Sequence, residues 1–201
     1  MERLLEGYRR FRATEWPERR AVFEALARQG QSPRAMVIAC SDSRVDPAMI
    51  FGAGPGELFT LRNVANLVPP SQPDARFHAA SAALEFAVRV LEVPDLIVMG
   101  HAMCGGVRAL LQGPPHPAGD FLIPWMRIAE PAKRRALACE PADPQTACEH
   151  EVVKLSLENL RTFPWIAERV DAGLLRLHGA TFDIRSGVLS ILQADGRFAP
   201  V

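Results

Sequence analysis

"LIVMGHAMCGGVRALLQ", residues 96–112, passes from an apolar run of strand length into a helical pattern, with only "GHAMCGG" between them. The same change recurs outward along the chain. "AMVIA" (35–39) and "ELFTL" (57–61) are further short apolar runs, and a helical pattern at about 75–91 carries Leu84, Ala87, Val88 and Leu91 on one face. Beyond it, helical patterns are expected at about 104–112, 119–138 and 146–162, and again in "PWIAERVDAG". "LLRLHGATFDI" and "GVLSILQ" read as a hairpin turned at "RSG". Strands alternating with helices predict an α/β fold, with a mostly parallel central sheet flanked by helices and an antiparallel hairpin at its edge. Two amphipathic stretches precede this core: Leu4, Leu5, Tyr8 and Phe11 share one helical face, and Val22, Phe23 and Leu26 lie between Pro17 and Gly30. One domain over 1–201 is expected, with residues 1–30 as a helical arm and 31–201 as the core.

Composition narrows the function classes. The 201 residues carry 23 Lys plus Arg against 23 Asp plus Glu, so no net field favours nucleic acid or an acidic membrane surface. No apolar run approaches the roughly 20 residues that span a bilayer. "MERLLEGYRRFRATEW" has neither a signal-peptide core nor the acid-poor character of a transit peptide, so the expected location is cytoplasmic. In a reducing compartment the four cysteines, Cys40, Cys104, Cys139 and Cys148, read as metal ligands, catalytic thiols or small buried apolar residues.

Cys40 follows "AMVIA", while His101 and Cys104 follow "LIVMG". In a parallel sheet, residues just past the carboxyl ends of neighbouring strands meet in one crevice, where ligands bind. Two thiols and an imidazole brought there suit tetrahedral zinc. Cys104 also falls at an expected helix N-terminus, whose partial positive charge favours a thiolate. A lone "HxxC" carries little weight, but its convergence with Cys40 beside Gly105 and Gly106, which allow close backbone approach, favours a metal centre. Three protein ligands leave a position open, as catalytic zinc requires. Asp42 either occupies that position or accepts a hydrogen bond from a water there. "ACSDSRVDP" (39–47) would otherwise be a solvated loop of alternating charge, with Arg44 a surface cation.

"ACSDSRVDP", "RNVANLVPP" and "GHAMCGG" resemble the signatures of the β-class carbonic anhydrases, and more closely the plant-type branch than the enteric bacterial one. The likeness runs from "GQSP" (30–33) through "DFLIPWMRIAEPAK" (120–133) and "CEHEVVKLSLENL" (148–160). The resemblance implies one zinc ion per subunit on Cys40, His101 and Cys104. It also implies an Asp42–Arg44 dyad, Gln31 and Gly105 at the substrate, and a pocket lined by Phe59, Val64 and Phe86, with Phe59 and Val64 contributed by a partner subunit. The implied activity is reversible hydration of carbon dioxide to bicarbonate and a proton through zinc-bound hydroxide. The implied assembly is a homodimer or a dimer of dimers. Two thiolates cancel the formal charge of zinc, so such a centre acidifies water less than one built from three histidines. Asp42 would then orient the attacking oxygen, and Arg44 would hold that carboxylate off the metal.

Departures from the family carry their own expectations. Where the enteric branch has a tryptophan and a tyrosine around an inhibitory bicarbonate site, this chain has Val37 and Phe182, so that switch should be absent. Phe86 stands where the plant-type pocket has a tyrosine, which makes the pocket drier. Cys139 and Cys148, despite nearby His150, are expected to be free thiols. His78, His116 and His178 are relay candidates by titration range alone. "GAGPGE" (52–57) lacks the ending of a phosphate-binding loop and reads as a turn. Two other functions remain open: hydrolysis of carbonyl sulfide or carbon disulfide on the same centre, and a zinc-bearing bicarbonate sensor without turnover.

Overall fold

Strand β1 (Ala35–Cys40) is buried at every position, because it lies inside the sheet with a covering on both faces. Met36 and Ile38 enter one core, while Val37 and Ala39 enter the other, as the two-residue period of a strand requires. The computed structural model describes residues 1–74, 78–113 and 119–201. After helix α1 (Glu2–Ala13), helix α2 (Glu15–Gln29) and β1 come the short helix α3 (Pro47–Ile50) and strand β2 (Leu58–Asn63). They are followed by helix α4 (Ala79–Glu85), strand β3 (Asp95–His101) and helix α5 (Gly105–Gln112). Helices α6 (Leu122–Met126), α7 (Glu130–Ala138), α8 (Pro144–Leu160) and α9 (Pro164–Asp171) lead to strands β4 (Arg176–Asp183), β5 (Val188–Leu192) and β6 (Phe198–Pro200).

The six strands run in the order β2-β1-β3-β4-β5-β6. β2, β1, β3 and β4 are parallel, whereas β5 and β6 are antiparallel additions at one edge. The chain leaves β1 for β2 on one side and then returns to place β3 on the other. The connections therefore diverge between the carboxyl ends of β1 and β3, the place where an open α/β sheet has its crevice.

One face of the sheet packs Met36, Ile38, Leu96 and Val98 against Leu84 and Val88, Val153 and Leu160 of α8, and Ile166 of α9. A second cluster around Val107, Leu110, Met126, Ala132 and Val152 joins α5, α6, α7 and α8 beside the carboxyl ends of the strands. α8 thus touches the sheet and also walls the crevice. Its start is set by Asp143, whose side chain accepts from Thr146 N at 3.1 Å, and by Pro144 at the first helical position.

The expected helix over 119–138 is broken. α6 tightens into a 3₁₀ turn at Arg127–Ala129 before α7 begins with Pro131 in its first turn, because a proline has no N–H to continue the ladder. The expected helix over 75–91 is seen from Ala79 and ends in a wider turn, Phe86–Val90, in which Leu91 N donates to Phe86 O at 2.9 Å; residues 75–77 fall outside the described ones. Strand β6 was not legible in the sequence: it is three residues long and includes a proline. Residues 52–57 form a turn, in which Gly54 N donates to Glu57 Oε2 at 2.6 Å. α1 and α2 bury no residue, and Leu4 and Tyr8 stay exposed on α1.

Candidate active site

Cys40 is the last residue of β1 and His101 the last of β3, each one step earlier than a reading of "just past the strand" suggests. The turn Ala102–Met103 then brings Cys104 to the residue that precedes α5. The ligand atoms of Cys40, His101 and Cys104 all lie within 4.8 Å of one another, and all three residues are buried. The two sulfurs are 3.9 Å apart. Nδ1 of His101 donates to Ala102 O at 2.9 Å, which leaves Nε2 as the lone-pair nitrogen. That Nε2 is buried and has no hydrogen-bond partner. A buried acceptor left bare beside two thiols is costly unless a cation completes it, so this donor set fits a metal ion of borderline softness.

Backbone amides surround the sulfurs. The N–H groups of Asp42 and Ala65 point to Cys40, and those of Gly106 and Val107, in the first turn of α5, point to Cys104. The Cys104 thiol beside it, together with His101 and these amides, holds Cys40 well below the usual thiol range against the opposing effect of burial. Cys104 is pushed up by its hydrogen bond with Cys40 and by burial. Burial alone would lower His101, but a Cys40 thiolate outweighs it and raises the imidazole.

Asp42 stands at the rim. Its carboxylate accepts from Arg44 Nε at 2.9 Å and Nη2 at 2.7 Å, and from the Arg44 backbone N–H at 3.0 Å. This forked pair holds the Asp42 carboxyl below the usual carboxylate range despite partial burial. Oδ2 of Asp42 remains 3.9 Å from Nε2 of His101. Arg44 also donates to Met103 O at 3.3 Å, tying the first loop to the second.

The other expected site residues are scattered in the protomer. Val64 abuts Gly106, where a methyl group would meet its Cγ1 at 2.8 Å. Gly105 faces open space. Phe59 pairs with Met36, four residues before Cys40, and so sits about 13 Å back along the strand direction. It stacks on Phe86, with ring centroids 5.7 Å apart, and Gln31 is exposed ahead of β1. Val37 is fully buried with Ala39 and Met99 on the other face of the sheet, and Phe182 pairs with His101 across β3 and β4. His178 binds Asp95 at 2.7 Å at the opposite end of the sheet, so it is no relay for this crevice. His78 pairs with Asp74 at 2.6 Å, and His116 lies outside the described residues. Cys139 is exposed and Cys148 buried; neither joins a metal-type group among the described residues.

Three polar residues that hold the site escaped the sequence reading. Arg62 donates to Cys40 O at 2.9 Å, Asp42 O at 2.6 Å and Asp46 Oδ2 at 3.0 Å, pinning the whole 40–46 loop to β2. Glu149 accepts from Cys104 N at 2.8 Å, and Gln145 bridges Glu149 and Cys104 O. A cation in an apolar strand and a carboxylate on the inner face of a helix were the available signals.

The family model described as "Carbonic anhydrase" matches residues 35–189. The chain is 35% identical to beta carbonic anhydrase 3 of Arabidopsis thaliana over 208 aligned positions, covering 100% of this chain and 80% of that one. It is 38% identical to the carbonic anhydrase of Pseudomonas aeruginosa PAO1, covering 98% and 90%. Among solved structures, the β-carbonic anhydrase CcaA superposes with a TM-score of 0.90 at 33% identity, covering 100% of this chain and 92% of that one. A tetrameric β-carbonic anhydrase of Sordaria macrospora gives a TM-score of 0.81 at 26% identity, with 98% of each chain covered. No helix among the described residues is long and apolar enough to cross a membrane. A matched family, a shared fold and a cysteine–histidine–cysteine group at the sheet's crevice agree: the chain belongs to the β-class carbonic anhydrases, the carbonate dehydratases.

Proposed function

We propose that this chain hydrates carbon dioxide reversibly to bicarbonate and a proton, using one zinc ion per subunit held by Cys40, His101 and Cys104. The observation that carries the reading is the buried, unpartnered Nε2 of His101 within 4.8 Å of two thiols, at the point where the sheet's connections diverge. Zinc bound there would supply the Lewis acidity that makes hydroxide available near neutral pH. The protein's own share is orientation. Asp42, ionised and forked to Arg44, would accept a hydrogen bond from the O–H of the nucleophile and so align its lone pair, and Arg44 keeps the carboxylate from turning toward the ligands. Carbon dioxide has no charge to clamp, so an apolar approach suffices for it.

In our reading Val64, which abuts Gly106 of its own chain rather than coming from a partner as the resemblance implied, forms the near side of that approach with Gly105, while Gln31, Phe59 and Phe86 complete it from a partner subunit. The exposed arm and the distance of Phe59 from the thiols in its own chain favour a homodimer or a dimer of dimers. The tetrameric Sordaria macrospora relative supports the same reading. Val37 and Phe182 offer no polar group for an inhibitory bicarbonate, so the centre stays open near neutral pH. Paired thiols that must remain reduced suit the cytoplasm.

Stopped-flow proton release from carbon dioxide, with metal analysis of the same sample, tests the proposal. Zinc-loaded protein should turn over, and Cys40→Ser should lose both zinc and rate. A loaded protein no faster than Cys40→Ser would leave a bicarbonate sensor as the better reading. Faster turnover of carbonyl sulfide or carbon disulfide would reassign the substrate.

A further inference from the structure

The turn that delivers Cys104 carries an unusual backbone. Met103 is a non-glycine residue with φ of 58°, a left-handed conformation that persists only where its surroundings fix it. The turn is held from outside at several points. Ala102 N donates to Phe182 O at 2.9 Å, and Arg44 reaches Met103 O. Cys104 is gripped at both ends: its N–H donates to Glu149 Oε1 at 2.8 Å, and its carbonyl accepts from Gln145 Nε2 at 3.1 Å. Gln145 also donates to the same Glu149 oxygen at 2.6 Å, so the two side chains, one helical turn apart on α8, form a closed clamp around the backbone of one residue.

Glu149 is 4% exposed. A carboxylate in such a place is expensive, and an apolar residue of similar volume would serve packing at least as well. What an apolar residue cannot do is accept a hydrogen bond from the amide of Cys104, the residue whose side chain carries a ligand sulfur. Ligand side chains on a metal are commonly fixed by hydrogen bonds of this kind, and losing one weakens the metal about 10–100-fold.

We infer that Glu149, braced by Gln145, is a positioning residue that sets the direction of the Cys104 sulfur, linking helix α8 to the metal centre without touching the metal or the substrate. The inference rests on the zinc reading above and extends it to two residues outside the three signatures.

Zinc affinity measured by competition with a chromophoric chelator, for wild type, Glu149→Ala, Glu149→Gln and Gln145→Ala, provides the test, with absorption spectra of the cobalt(II)-substituted proteins alongside. Glu149→Ala should bind zinc about 10–100-fold more weakly and shift the cobalt ligand-field bands. Glu149→Gln keeps an acceptor oxygen and should restore both affinity and spectrum. Gln145→Ala should fall between wild type and Glu149→Ala. Wild-type affinity and an unchanged spectrum in Glu149→Ala would overturn the inference, as would Glu149→Gln behaving like the alanine variant. Should Glu149→Ala not fold, Gln145→Ala and Glu149→Gln decide: a Gln145→Ala protein that holds zinc like wild type would overturn it. Failure of the wild type itself to bind zinc would instead defeat the zinc reading, so the two failures are distinguishable.

Discussion

Adding one methyl group at Gly106 probes how tightly the two loops of the site are fitted. The new Cβ would lie 2.8 Å from Val64 Cγ1 and 3.0 Å from Ala65 Cβ, with Ala65 N at 3.5 Å. Close-packed carbons settle at about 3.5–4.0 Å, so the 64–66 turn must retreat by roughly half an ångström or more. Val64 is 38% exposed and can give way, but Ala65 is fully buried with φ of 62°, and its N–H serves the Cys40 sulfur. Overpacking of this kind costs about 1–3 kcal/mol, while alanine in place of glycine in a helix returns about 1 kcal/mol. The net loss is therefore about 0–2 kcal/mol, or at most about 8 °C in Tm for a chain of this size. The effect on metal should be larger than the effect on fold. Displacing the donor to a ligand sulfur weakens zinc about 10–100-fold, and so removes about 1.4–2.7 kcal/mol of metal-derived stability. Gly105→Ala is the matched control, since its Cβ meets nothing within 4 Å and its φ is ordinary. It should keep zinc fully and gain about 0.4–1 kcal/mol through the unfolded chain. Chelator competition, with thermal melts of zinc-loaded and chelated protein, measures both quantities. Equal zinc affinities for Gly106→Ala and Gly105→Ala would refute the reasoning.

Arg44→Ala should leave zinc content unchanged and lower carbon dioxide hydration about 100-fold by freeing the Asp42 carboxylate; a wild-type stopped-flow rate would remove Arg44 from the mechanism. The Arg44 fork lowers the folded pKa of Asp42, so its stabilisation is complete above the ordinary carboxylate range and is lost as pH falls through the depressed folded value. Acid-unfolding curves of wild type and Asp42→Asn should accordingly differ at neutral pH and converge in strong acid; curves that stay parallel would contradict it. Leu4→Glu with Tyr8→Glu should shift sedimentation toward smaller species, since both apolar side chains are exposed in their own chain. An unchanged sedimentation coefficient would show the arm to be irrelevant to assembly.

The sheet and its ligands were legible because strand-length apolar runs and the residues that end them obey local rules. Cys40, His101 and Cys104 could be placed in one crevice before any coordinates, since parallel strands bring their carboxyl ends together. The pairing of Asp42 with Arg44 was expected from the family resemblance rather than from local rules, which by themselves also allow a solvated loop of alternating charge; in the fold the two side chains do meet, two residues apart in one loop. Arg62 and Glu149 were not legible, because their roles depend on the register of β2 against β1 and on the rotation of α8, neither of which has a local signature. The break at Pro131 was readable in principle, but the apolar spacing continues across it and masked the stop. β6 owes its existence to pairing with β5, and its residues 198–200 have little strand character of their own.

Three of the five described non-glycine residues with positive φ, Ala65, Asn66 and Met103, flank the thiols. Each such residue costs about 1–2 kcal/mol relative to an ordinary conformation. A search for thermostabilising substitutions would be drawn to these positions, where glycine relieves the backbone at once. Relaxing them would also slacken the amides that aim at the sulfurs, so a hardier variant obtained this way should be a poorer catalyst. Robustness in this protein is better sought in the exposed segments far from the crevice, where rigidity and turnover do not compete.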